Sequence, residues 1–96
     1  MNKITISDQY SFEAKHESNS LRLVVFENGE ELACRKVAFR EFEQFLKKDT
    51  GHLFKGRLQL DKSGDDILVS VKNNKAGTIR AADLAQLINA QSFVVL

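Results

Sequence analysis

The chain contains no proline, no tryptophan and a single cysteine, Cys34. Each absence closes off a class of protein. Without proline there is no rigid linker and no proline-rich recognition segment. With one cysteine, no disulfide and no cysteine-based metal site can form within the chain, which fits a reducing compartment best. Seven phenylalanines against one tyrosine put most aromatic volume into rings without a polar handle. That suits a core more than ligand stacking. The opening stretch "MNKITISDQYSFEAK" has no apolar run long enough for a signal peptide or a membrane span. The expectation is a cytoplasmic protein that does not enter a membrane.

What is present describes an ordinary globular chain. Ninety-six residues, 43% hydrophobic and 28% charged, suit one α+β domain with a modest core. Residues 3–7 and 9–16 alternate apolar and polar letters, with Ile4 and Ile6, then Tyr10, Phe12, Ala14 and His16, sharing faces. "LRLVVFE" (21–27) is apolar on both faces and reads as a central strand. Asn28-Gly29 tolerates the positive φ of a type I′ turn, so 31–37 reads as the returning strand of a hairpin. Over 38–49 the period changes. Phe39, Phe42, Phe45 and Leu46 fall three or four apart, on one helical face, and Gly51 reads as the stop.

Period two returns at 53–61 and 66–72, which read as a second hairpin with Leu58, Leu60, Ile67, Val69 and Val71 inward. Residues 79–90 read as a second helix with Leu84, Leu87 and Ile88 on one stripe. "SFVVL" closes the chain as a short apolar strand or packed tail. The predicted fold is α+β: one mainly antiparallel sheet of five to six strands, with two helices packed on one face. The order is β-meander, helix, β-hairpin, helix, short C-terminal strand. No internal repeat and no family pattern is visible.

The net charge of +1 is uninformative, but its distribution is not. Residues 1–46 carry six Lys/Arg against eight Asp/Glu, whereas residues 47–80 carry eight against four. "VKNNKAGTIRAADLAQLI" (71–88) concentrates the question. Exposed amides at a helix start beside Lys75 and Arg80 are the makings of an anion site. The stretch has neither GxxxxGK[ST] nor GxGxxG. The same letters make a turn at Asn73-Asn74, a relaxed Gly77 and an N-cap at Thr78, and this plainer reading is preferred. The outward face of the second hairpin is the more promising surface. Lys55 and Arg57 alternate there, with Lys72 on the next strand and Lys47, Lys48 and Lys75 at the ends. Lys55, Arg57, Lys72, Lys75 and Arg80 are therefore the candidate anion or nucleic-acid contacts. No aromatic stands among them for base stacking.

Other reactive letters are sparse. His16 and His52 are far apart in sequence, with no metal-ligand spacing, and His52 reads as an exposed group at a helix end. Cys34 reads as a small buried hydrophobe, although Arg35 and Lys36 follow it. "DKSGDD" (61–66) lacks calcium-loop spacing and reads as a polar turn. No catalytic set, metal site or cofactor is expected. The expected function is that of a small non-enzymatic protein-interaction module, such as an adaptor, inhibitor or accessory protein of the compact kind bacteria and phages carry. The alternative is a nucleic-acid or acidic-surface binder using the Lys/Arg patch. A homodimer at high concentration is expected through the residue 3–7 edge or through the apolar end at Phe93, Val94 and Val95.

Overall fold

A computed structural model describes residues 3–93. It contains two sheets rather than one. Strands β1 (Lys3–Thr5), β2 (Tyr10–Glu17), β3 (Ser20–Glu27) and β4 (Glu30–Ala38) form one antiparallel meander, followed by helix α1 (Phe39–Lys47). Strands β5 (Thr50–Leu53), β6 (Leu58–Ser63), β7 (Asp66–Val71) and β8 (Asn74–Arg80) form a second, followed by α2 (Ala81–Phe93). The α+β class stands. The single sheet of five to six strands with both helices on one face does not.

Two strands escaped the sequence pattern. β5 has one apolar residue, Leu53, so nothing alternates, and the chain that seemed one strand over 53–61 is broken by left-handed residues Phe54 (φ 71°) and Gly56 (φ 106°). β8 contains the segment expected to be a loop and helix cap. Gly77 lies opposite Val69 and Thr78 opposite Leu68, and the helix begins three residues later, at Ala81. At its far end α2 runs through Phe93, where a strand was expected. The side chain of Phe93, together with Val94 and Val95, lies outside the described residues.

The element order repeats, and so does the detail. Phe12 pairs with Val25 in the first unit as Leu58 pairs with Val71 in the second. Leu21 faces Val37 as Ile67 faces Ile79. Both units have an irregular register between their third and fourth strands, at Val25/Phe26 and at Val69/Ser70. Both fourth strands are reached by a two-residue turn with positive φ at each position: Asn28 (52°) and Gly29 (87°), then Lys72 (53°) and Asn73 (68°). This is the type I′ geometry expected at Asn28-Gly29.

Each helix also starts in the same way. α1 has no capping side chain, and the Phe39 N–H instead donates to Asn19 O in the β2–β3 turn at 2.8 Å. Ala81 N–H donates to Asp65 O in the β6–β7 turn at the same distance. A donor that a helix start leaves orphaned is thereby satisfied by the unit's own sheet.

The units are interlocked through one core. α2 packs on β2 of the first unit as well as on its own β8, and α1 packs on β5 as well as on β4. Phe12, Leu21, Leu23, Leu58, Leu60, Ile67, Val69 and Leu84 are fully shielded, and Phe42 and Phe45 of α1 join them. Burial of each such side chain contributes about 1.5–3 kcal/mol of transfer free energy. The connecting loops exchange contacts too. Ile6, between β1 and β2, lies over Gly77 of β8. The β5–β6 connection lies against Arg35 of β4, whose guanidinium donates to Lys55 O at 2.7 Å. No helix among the described residues is long and apolar enough to cross a membrane.

Candidate functional site

Four of the five predicted cations come together at one tip of the second sheet. The positive φ values of Phe54 and Gly56 turn residues 54–57 out of strand geometry, so Lys55 and Arg57 stand on a connection rather than alternate along a strand. Lys72 begins the β7–β8 turn, and its N–H donates to Arg57 O at 2.7 Å, which stitches turn and connection together. Lys75 lies one step along β8, opposite Ser70, which on its other side faces Gln59. Gln59 closes the connection by donating from Nε2 to Gly56 O at 3.0 Å. Arg35 holds it from the other sheet, with its guanidinium 4.7 Å from the centroid of the Phe54 ring.

Lys55, Arg57, Lys72 and Lys75 are all exposed. Ion pairs among the described residues are those of Glu17 with Arg22 and Lys36, and of His52 with Asp61, so none neutralises this tip. Arg80 is not part of it. It lies at the far end of β8 opposite Asp66, a strand length of about 20 Å from the turn. Lys47 and Lys48 lie at that far end as well, where Asp49, Asp65 and Asp66 also gather. The cations expected along a sheet face therefore form a compact tip, with Asp49, Asp65 and Asp66 at the sheet's other end.

The topologically equivalent tip of the first unit has the opposite sign. Its β1–β2 connection and β3–β4 turn carry Asp8, Glu27, Glu30 and Glu31 and no Lys or Arg. The frame is the same: Asn28 N–H donates to Gln9 O at 2.8 Å, as Lys72 does to Arg57. Gln9 Nε2 also donates to Glu27 Oε2 at 2.5 Å. This tip was not singled out from sequence, because its carboxylates come from two segments that only the meander brings together.

The remaining reactive groups serve local structure. His52 is in β5, not at a helix end, and its Nδ1 stands 2.5 Å from Asp61 Oδ1 on β6. That hydrogen bond pushes the imidazole pKa above its ordinary value, against a smaller opposing effect of partial burial. Cys34 is half-buried, and it accepts a hydrogen bond from Arg22 Nη1 at 3.3 Å rather than meeting Arg35 or Lys36. Arg22 also grips Glu17 at 3.0 Å and holds that carboxyl below the usual carboxylate range.

Lys62 is the one buried charged side chain among the described residues, and sequence gave no hint of it. It donates to Lys48 O beyond α1 and to Gly64 O in the β6–β7 turn, at 2.5 and 2.6 Å. No three His, Cys, Asp or Glu among the described residues come together to hold a metal ion. The chain matches no family model, no curated protein and no solved structure.

Proposed function

We propose that this chain is a nucleic-acid-binding domain whose basic tip holds the phosphate backbone. The observation that carries this reading is the convergence of Lys55, Arg57, Lys72 and Lys75 on a hydrogen-bonded frame free of acids. Cations fixed close together without counter-charges attract a polyanion, and binding releases that polyanion's condensed counterions. The neighbouring sheet face presents Gln59, Ser70 and Thr78 for hydrogen bonds, with Leu68 among them, and the nearby rings are already engaged, His52 by Asp61 and Phe54 by Arg35. Contact with the backbone, tolerant of sequence, is what this surface supports.

Four phosphate contacts set a measurable salt dependence. The slope of log K against log salt is about −3.6 for duplex and about −2.8 for single strands. Between 50 and 200 mM salt, affinity then falls roughly 150-fold or 50-fold respectively. Fluorescence anisotropy with labelled duplex and single-stranded oligonucleotides reads this directly. Lys55→Ala or Lys75→Ala should each flatten the slope by a little under about one unit. Absence of binding at low salt, or binding untouched by these substitutions, rejects the reading.

The protein-interaction reading has a different feature in its favour. Half-buried Phe39 and Leu46 of α1 and Ala85 of α2 line a shallow groove between the helices, flanked by Glu43 and Lys47. Amphipathic grooves of this kind take apolar partner side chains. It becomes the stronger reading where nucleic acid fails to bind at low salt.

A further inference from the structure

We propose that two copies of this chain associate by docking the acidic tip of each on the basic tip of the other. Two observations point to a second copy as the occupant. First, the tips are built on one frame: the same two-residue positive-φ turn, stitched by the same N–H to carbonyl bond to the preceding connection. The shared bond sets Gln9 level with Arg57 and Asn28 level with Lys72, which brings Glu31 level with Lys75. One frame carries Asp8, Glu27, Glu30 and Glu31, the other Lys55, Arg57, Lys72 and Lys75, and neither has an ion pair among the described residues.

Second, each tip's connection crosses a strand of the other unit. Ile6 of the acidic tip lies on Gly77, two residues from Lys75, and Arg35, four residues from Glu31, holds Lys55 O. Patches of opposite sign on one molecule are self-complementary. A two-fold pairing of copies sets both acidic tips over both basic tips at once, which closes the assembly as an isologous dimer. Like-charged tips facing each other would disfavour the parallel alternative. The contact is polar and at the rim of the sheets, so it is weak, salt-sensitive and independent of the apolar core.

This inference goes beyond the nucleic-acid reading but shares one surface with it. A bound oligonucleotide and a second copy compete for the basic tip. Either can fail without the other, because self-association is measured with no nucleic acid present.

Sedimentation equilibrium at about 500 µM protein tests it, in low salt and at roughly 0.5 M salt, where the screening length is only a few ångströms. The wild-type chain should associate at low salt and come apart at high salt. Asp8→Lys/Glu30→Lys/Glu31→Lys makes both tips basic, and Lys55→Glu/Arg57→Glu/Lys75→Glu makes both acidic. Each variant alone should be monomeric, and an equimolar mixture should restore the dimer. A monomeric wild type at low salt, a dimer that survives either reversal, or a mixture that stays monomeric overturns the proposal. All six positions are exposed, so folding should survive. Where circular dichroism shows otherwise, the neutralising set Asp8→Asn/Glu30→Gln/Glu31→Gln should weaken dimerisation at least about tenfold, and unchanged association would be equally fatal.

Discussion

Gly77 offers the sharpest test of the interlocked architecture, because it is where a loop of the first unit crosses a strand of the second. A Cβ built on Gly77 would lie 2.3 Å from Ile6 Cγ2, with Ile6 O at 3.6 Å and Ile6 Cβ at 3.7 Å. Carbon atoms sit comfortably at about 3.5–4.0 Å, so more than an ångström must open. Isoleucine is stiff at χ1 and cannot simply swing its methyl aside. Gly77 also has a φ of 147°, a region L-residues rarely enter. Overpacking costs about 1–3 kcal/mol, and a strained backbone costs about 1–3 kcal/mol more. Gly77→Ala should therefore destabilise the protein by roughly 2–6 kcal/mol in urea unfolding, a large fraction of the stability of a small domain. Adding Ile6→Ala removes the clashing methyl and should recover the packing part but not the backbone part. The double-mutant cycle then shows a favourable coupling of about 1–3 kcal/mol. A single-variant loss below about 0.5 kcal/mol, or a cycle without coupling, would refute the crossing.

Two further outcomes follow from buried and paired groups. Lys62→Met keeps the apolar stem but abandons Lys48 O and Gly64 O. It should cost about 1–3 kcal/mol in chemical denaturation, whereas a neutral result would mean that water replaces the ammonium without loss. His52 has its pKa raised by Asp61, so the pair stabilises the folded state fully below the ordinary histidine value of 6.5, and this contribution is lost as pH rises through the raised value. An NMR titration should place His52 above a free histidine, and Asp61→Asn should flatten the pH dependence of stability in that window. A His52 titration that Asp61→Asn leaves unmoved would dissociate the two residues.

The sequence was legible where one face of an element is buried and its neighbours are local. The first meander shows it: Phe12 and Ala14 alternate against Leu23 and Val25, and Asn28-Gly29 fixes the turn. α1 was legible from Phe42 and Phe45. Legibility ended where structure is imposed from a distance. β5 is a strand because Lys62 and Leu60 pair with Gly51 and Leu53, not because its own letters ask for it. β8 hides behind Asn73, Asn74 and Gly77, and an extra residue at Ala76 breaks its alternation where the register shifts. The duplication is invisible because equivalent positions share burial rather than identity, as with Phe12 and Leu58 or Ala14 and Leu60. The basic letters were noticed, but their meeting depends on positive φ at Phe54 and on the Lys72 N–H to Arg57 O bond, neither of which composition reveals.

Comparison of the two turns suggests where stability has yielded to charge. Type I′ turns need positive φ at both central positions, which Asn and Gly accept and other L-residues resist at about 1–2 kcal/mol each. The first unit meets this demand with Asn28 and Gly29. The second places Lys72 at the equivalent first position, at the same φ within a degree. Nothing in packing calls for a lysine there, because its side chain is exposed and makes no ion pair among the described residues. A fold selected for stability alone would use asparagine at both turns. Lys72→Asn should therefore stabilise the protein, by about 0.5–1 kcal/mol in chemical denaturation, and at the same time flatten the salt dependence of nucleic-acid binding by a little under about one unit. Stabilisation with unchanged binding would show the lysine to be incidental, and destabilisation would show that it supports the turn in a way the backbone geometry does not account for.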